Sequence, residues 1–347
     1  MCPHGVISRT VQRYLCKDCG RSFILTAHNS RYKHTNALLF ETGRLYFDQK
    51  GSSRSVARIL SQHSRTAIDH RRILCFLNEL GQNCKDTQEV AYELSPKWCG
   101  YAGVDGKTIF IKGKEHQFFL AVDLATKDIP HFTIIEAETL ESINNFLFEL
   151  VAEIGYPLAG FVADLDPAFI GVHRNYFAKI PYQMCVVHLE RNLNRLFAER
   201  KRSSLQQEFA NLYRSVIYAE TKKSAWDHLE EIMDRASEFE GAKYASLIKS
   251  LIRHFPRYTA HFAYPGLSRD NNICENVIGQ LGIKLDLMRG LESHEGAHGY
   301  LKLLVMWYRF KRFSSSRTKE NNGKSPLELA GVDTADIDWI KYCQRSK

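Results

Sequence analysis

The chain of 347 residues predicts an α/β core, and three observations carry that expectation. Between residues 98 and 135, three apolar runs rich in β-branched and aromatic residues follow one another, broken by turn signals such as Lys112-Gly113-Lys114. From Leu140 a helical pattern, a strand (GFVA), a second helical pattern after Pro167 and another strand (QMCVV) alternate. From Glu190 to about Pro265 the pattern is helical throughout. Three antiparallel strands followed by helix, strand, helix, strand is the order of a ribonuclease H-like mixed sheet. The sheet domain is therefore assigned to 98–189 and 269–313, with an α-helical insertion at 190–268.

Composition narrows the function classes. Apolar residues make up 44% and charged residues 25%, the balance of an ordinary globular chain. No apolar run approaches the roughly 18 to 20 residues that span a bilayer, so no membrane partner is expected. No signal-peptide apolar region opens the chain. Nine cysteines, several inside apolar segments (Cys75, Cys185, Cys274), point to reduced thiols or metal ligands. A cytoplasmic protein is expected, nucleoid-associated if prokaryotic. Residues 1–85 hold 14 Lys and Arg against 5 Asp and Glu, whereas the remainder holds 33 against 34. All of the excess positive charge thus lies in the first quarter, the distribution expected of a nucleic-acid-binding module on a neutral body.

That first quarter supplies motifs. Cys16-Lys-Asp-Cys19-Gly is a zinc knuckle preceded by a strand-like VQRYL, and Cys2-Pro-His4 stands where a second knuckle belongs. Residues 1–28 therefore read as a small zinc ribbon, degenerate in its first half, with Cys2, His4, Cys16 and Cys19 as ligands of a structural Zn²⁺. Residues 35–81 read as three helices with helix-turn-helix spacing. The link SQH precedes Ser64, a good N-cap, and the second helix of the pair would offer Arg65, Thr66, Asp69, His70 and Arg71 to a major groove. A plain three-helix bundle fits the periodicity equally well. Residues 82–97 are polar and aperiodic and read as a linker. Residues 314–347 form a C-terminal tail, polar at first and weakly helical later.

Acidic residues fall at positions set by the expected sheet. Asp105 lies on the first strand (GYAGVDG), and Asp164 sits where GFVA ends. Ligands in such folds bind outside the carboxyl ends of the strands. Asp166 is the alternative to Asp164. Cys185 and His188 lie on or just past the last strand, and two ligands with Cys274 as a distant third would be a second zinc site. Asn271, Asn272 and Glu275 open a helix that Asp270 or Asn271 would cap. Clustered carboxylates repel unless a cation neutralises them, and hard oxygen ligands suit Mg²⁺ or Mn²⁺, two of which can hold both oxygens of a phosphodiester displacement. Arg195, Arg200, Lys201 and Arg202 in the insertion, with Arg309, Lys311 and Arg312 in the last amphipathic helix, are candidates for phosphate contact.

GVDG, VADLDPAF, CVVHLERNL, a helical insertion and NNICENVIGQLGIKLDLMRG together resemble the catalytic domain of DDE transposases of the Mutator-like superfamily, which includes insertion-sequence enzymes. The resemblance covers roughly residues 100–312, and CKDCGRSF resembles the zinc ribbons that precede such domains. It implies a metal-binding triad of Asp105, Asp164 and Glu275, with Cys185 and His188 as an accessory pair. It also implies cleavage of DNA at terminal inverted repeats, strand transfer to target DNA, and a homo-oligomer, at least a dimer, that brings two ends together. A domesticated DNA-binding protein that retains the fold without chemistry is the alternative.

Overall fold

The computed structural model describes residues 2–8, 11–15, 22–24, 36–49, 51–64, 67–288 and 291–345. The chain starts with a three-stranded antiparallel sheet, β1 (Cys2–Ser8), β2 (Val11–Leu15) and β3 (Ser22–Ile24), in that order. Cys16 and Cys19 of the expected zinc clamp lie outside the described residues, as do the side chains of Cys2 and His4.

Three helices follow: α1 (Asn36–Asp48), α2 (Ser53–Ser64) and α3 (His70–Gln82). The third begins later than its sequence suggests. Ser64 is the last residue of α2, not the cap of α3, and the SQH stretch is helical. Asp69 is the cap instead, its carboxylate accepting the Arg71 N–H at 3.2 Å. Ser61 holds the corner: its hydroxyl donates to the Ala57 carbonyl at 2.7 Å and accepts the Ile68 N–H at 2.8 Å. Arg65 and Thr66 lie outside the described residues.

The expected linker contains a helix, α4 (Thr87–Leu94). A capping box starts it, with the Glu89 N–H on Asp86 at 3.0 Å and the Asp86 N–H on Glu89 at 2.8 Å. The C-terminal tail stitches onto the same place, since the Lys85 N–H donates to the Cys343 carbonyl at 2.7 Å and Arg345 pairs with both Asp86 and Glu89.

The central sheet has five strands: β4 (Tyr101–Ile111), β5 (Lys114–Asp123), β6 (His131–Ile135), β7 (Gly160–Ala163) and β8 (Tyr182–Met184). Their order is β6-β5-β4-β7-β8; β5 runs antiparallel to both of its neighbours, β4 and β6, whereas β7 and β8 run parallel to β4. Period-two alternation along β5 serves two cores. Phe119 and Ala121 face a core with α5 (Leu140–Phe148) and α6 (Pro167–Asn175), while Phe118, Leu120 and Val122 face the opposite layer. The strand expected over QMCVV ends at Met184, because Cys185 turns directly into α7 (Val186–Leu196).

The insertion is helical as expected. α8 (Ser204–Ile217), α9 (Lys222–Asp234) and α10 (Ala242–Tyr258) pack with α7 around Phe209, Tyr213, Leu229 and Leu251. The chain then returns through α11 (Asn272–Leu285) and α12 (His294–Phe310), and ends with the short helices α13 (Pro326–Leu329) and α14 (Trp339–Tyr342).

The sequence suggests an amphipathic α12, but the helix is the spine of the second core. Residues 299–309 are buried in unbroken succession, covered by the sheet, α3, α13 and α14. Gly81 of α3 meets Gly299 of α12 so closely that a Cβ on Gly81 would lie 2.6 Å from the Gly299 carbonyl carbon. One apolar cluster runs from Leu39 and Phe76 through Phe118 to Tyr308 and Ile340, so helices α1–α3 and the sheet share a core. Arg309, expected on a DNA-facing surface, is wholly buried and grips Asp128 with two hydrogen bonds of 2.8 Å. Its position in an enclosed helix makes it structural.

Candidate active site

Four elements converge at one end of the sheet. Asp105 sits within β4, its carboxylate held by the Gly106 N–H at 2.8 Å. Asp164 follows β7 directly, and the Tyr182 hydroxyl of β8 donates to its backbone carbonyl. Asp166, the alternative, caps α6 by accepting the Ala168 N–H at 2.6 Å, which occupies its carboxylate locally. His188 lies one turn into α7, with Nδ1 2.9 Å from Asp164 Oδ1 and Nε2 3.6 Å from Glu275 Oε1. Glu275 stands in the first turn of α11.

The placement of α11 depends on residues around Asp105. The expected capping role of Asn271 is not what its side chain does. Asn271 is completely buried, and its amide donates to the Val104 carbonyl at 3.0 Å, beside Asp105. Its backbone N–H reaches Cys185 Sγ at 3.3 Å. Gly103 gives the clearance, since a Cβ there would come within 2.5 Å of the Asn271 side-chain oxygen. The glycine of GVDG thus lets α11 dock and brings Glu275 to the strand that bears Asp105. Gln183 acts similarly behind the site: wholly buried, it donates to the Tyr258 carbonyl at 2.9 Å and accepts the His261 N–H at 2.9 Å, tying β8 to the end of the insertion.

The electrostatics are those of crowded carboxylates. Burial, with the neighbouring Asp164 charge, pushes the Asp105 carboxyl up to about 7. Burial works against a charged His188, but its contacts with Asp164 and Cys185 outweigh it and raise the imidazole to about 10. Burial also raises Glu138, a fourth carboxyl that senses Asp164 and Asp166. Asp164 Oδ1 and His188 Nδ1 are buried, and despite their approach neither is directed at a hydrogen-bond partner.

Glu275 has a partner that the spacing of acidic residues did not reveal. Arg191, one turn after His188, holds it with two hydrogen bonds of 2.8 Å, and Arg191 Nη1 also lies 2.8 Å from His188 Nε2. Among the described residues no three His, Cys, Asp or Glu side chains are gathered at metal-ligating geometry, and Glu275 is turned to this arginine. That finding covers the suggested Cys185, His188 and Cys274 set too. Cys274 is buried on α11. The donors nevertheless suit a hard cation: Asp164 offers an orphaned carboxylate oxygen, and Asp105 is a carboxylate whose charge lacks compensation.

Sequence reasoning missed Arg191, Asn271 in its docking role, and Glu138. Arg191 carried a weak signal as the residue three after His188, on the same helix face. Of the other expected contacts, Asp69 caps its own helix and lies 2.6 Å from His70, while Arg71 is exposed. Arg195, Arg200 and Lys201 are exposed; Arg202 donates to the Phe197 carbonyl at 3.1 Å, and Arg312 pairs with Glu328 at 2.6 Å.

Comparison with known proteins gives two similarities to mobile-element proteins. Residues 126–287 match the family described as Transposase, Mutator family, a segment that contains Asp164, Cys185, His188 and Glu275 and begins after Asp105. The chain is also similar to the "Insertion element ISM1 uncharacterized 48.3 kDa protein" of Methanobrevibacter smithii, at 21% identity over 282 residues, covering 78% of this chain and 67% of that one. A chain of the simian T-cell lymphotropic virus intasome in complex with PP2A regulatory subunit B56 gamma is similar at 11% identity and a TM-score of 0.23. It covers 52% of this chain and 69% of that one, a likeness too slight to bear on the fold. Over residues 126–287 the chain is thus similar to the Mutator-family transposases, and more widely to a protein of an insertion element. No helix among the described residues is long and apolar enough to cross a membrane.

Proposed function

We propose that this chain is a transposase of the Mutator type that cuts and joins DNA through a carboxylate triad, Asp105, Asp164 and Glu275, that holds two divalent cations, Mg²⁺ or Mn²⁺. One observation carries the reading: His188 lies between Asp164 and Glu275, residues from β7 and α11, while Asp164 and Glu275 both press on the Asp105 carboxyl. Carboxylates from three distant segments crowd one end of a sheet, which is stable only if positive charge joins them. Bound cations would activate the attacking oxygen and neutralise charge on the phosphate.

The residues of the chain supply the rest by position. The Gly106 N–H fixes the Asp105 carboxylate, Asn271 fixes α11 and so Glu275, and the His188 imidazole packs against Asp164 while its Nε2 faces Arg191. The chemistry supported is hydrolysis of a phosphodiester at the element's end, in which water adds to phosphorus and a 3′-hydroxyl leaves. That hydroxyl then attacks a target phosphodiester, exchanging one ester for another without net hydrolysis. The basic N-terminal quarter, with Arg71 exposed on α3, would hold the terminal repeats, and two such ends require at least a dimer. A structural Zn²⁺ in the first 28 residues remains part of the same proposal.

The test is Mg²⁺-dependent cleavage of DNA that carries the repeats flanking the coding region. Intact protein is expected to cut, and Asp105→Ala, Asp164→Ala and Glu275→Ala to fall to background. Cleavage undiminished in Asp105→Ala would overturn the triad.

A further inference from the structure

A cleft of about 910 Å³ opens beside Glu275, between α11 and residues 311–317. Lys127, Lys311 and Arg317 line it with cations, and Asn272, Asn276 and Gln280 with amides. Two features mark this groove, and a third, Gly279, lies beside it on the exposed face of α11.

Lys127 has a φ of +60°, the left-handed region that a lysine adopts at higher energy than glycine or asparagine would. Its turn imposes that conformation. The Lys127 N–H bonds to the Asp123 carbonyl at 2.8 Å, the Asp123 carboxylate accepts the Thr126 N–H at 2.9 Å, and both flanking aspartates, Asp123 and Asp128, are wholly buried. The lysine therefore stands on a rigid base, its ammonium 3.4 Å from the Ser316 hydroxyl across the cleft. Strain of this kind concentrates where a side chain must be presented.

Gly279 lies one turn past Glu275 in the middle of α11. A Cβ there would meet nothing within 4 Å, so packing gives no reason for a residue that weakens a helix. An exposed helical glycine lets another backbone approach closely. Finally, Asn272, Asn276 and Gln280 recur every four residues along one face, and the Gln280 amide donates to Asn276 at 2.9 Å. Uncharged donors and acceptors flanked by three cations complement a polyanion of regular spacing.

We propose that this groove seats the sugar-phosphate backbone of the DNA strand delivered to the carboxylate triad. Lys127, Lys311 and Arg317 contact phosphates, the amide row follows the strand, and Gly279 gives the clearance. The proposal rests on the reading of the triad given above.

The experiment measures anisotropy of a fluorescein-labelled duplex of mixed sequence against the full chain, without divalent metal, over a salt series. Lys127→Gly relieves backbone strain and Gly279→Ala favours the helix, so both variants are expected to melt no lower than the unaltered protein. Lys127→Gly is expected to weaken binding about 3- to 10-fold and to flatten the salt slope by about 1, and Lys127→Gly with Arg317→Ala by about 2. Gly279→Ala is expected to weaken binding without changing the slope. In the Mg²⁺ cleavage assay the double variant should raise KM more than it lowers kcat. Unaltered protein that cleaves, together with a double variant that keeps its KM and salt slope, overturns the groove alone. Unaltered protein that neither binds nor cuts DNA overturns the functional reading and the groove with it.

Discussion

Arg191 and Glu275, 84 residues apart, face each other in a two-pronged pair with both N···O distances at 2.8 Å. The arginine adds positive charge to a cluster of four carboxyls, and it occupies both oxygens of one of them. A cation that binds Glu275 must displace it. Arg191→Ala is therefore expected to bind Mn²⁺ more tightly, by up to about fivefold, the ~1 kcal/mol upper range for a half-exposed ion pair. Calorimetric titration that shows weaker binding would rule out competition between the arginine and the metal.

Asp105 should set a conflict between stability and activity. Its folded-state carboxyl lies near 7, above the ordinary aspartate value of about 3.8, so the folded state favours the protonated acid. In metal-free protein this contribution is complete below about 3.8 and is lost as pH rises through 7. Asp105→Asn removes that loss. With EDTA present it is expected to melt several degrees above the unaltered protein at pH 8, with little difference at pH 4, and to cleave no DNA. Equal melting temperatures at pH 8 would contradict the crowding argument.

Arg309 is expected to matter for folding alone. Removing one partner of a buried ion pair leaves the other uncompensated, so Arg309→Ala should lose about 3–5 kcal/mol of stability. Asp128 would keep only the Trp98 indole N–H, at 2.9 Å, among its side-chain partners from outside its own turn. Urea denaturation measures the loss. A variant of unchanged stability that bound DNA less tightly would return Arg309 to the surface role its sequence suggests.

The tail contact should respond to acid. Hydrogen bonds from Arg345 hold the Glu89 carboxyl down at about 2, against an ordinary glutamate value of about 4.5. Its stabilising contribution is present above 4.5 and is lost as pH falls from there toward 2. The last residues should therefore become susceptible to an acid protease before the core does. Arg345→Ala should show that susceptibility already at neutral pH, read with a neutral protease.

The strands of the sheet are legible in the sequence because β5 carries the continuous apolar run FFLAV and β7 is a short apolar run between turn signals. Asp164 stands out because it follows a strand end, whereas the strand that bears Asp105 runs on to Ile111. The start of α3 is less legible: Ser64 and Asp69 are equally good caps, and a side-chain bond from Ser61 to residue 68 decides between them. α4 buries only Thr87 and Val90, so no periodicity announces it, although the Asp86-Glu89 capping box was present to be read. Arg309 looks like a surface residue at a helix end because its partner lies 181 residues away. Arg191 was hidden likewise, its partner being named only by the folded chain.

The meeting of Gly81 and Gly299 leaves no slack between α3 and α12. Here backbone rests on backbone, so α3 and the carboxylates move as one body. If α3 reads the repeat, the distance from the bases it recognises to the bond that breaks is a fixed ruler, the same at every end the enzyme processes. Footprints and cut sites mapped on repeats of altered spacing should shift together, base for base.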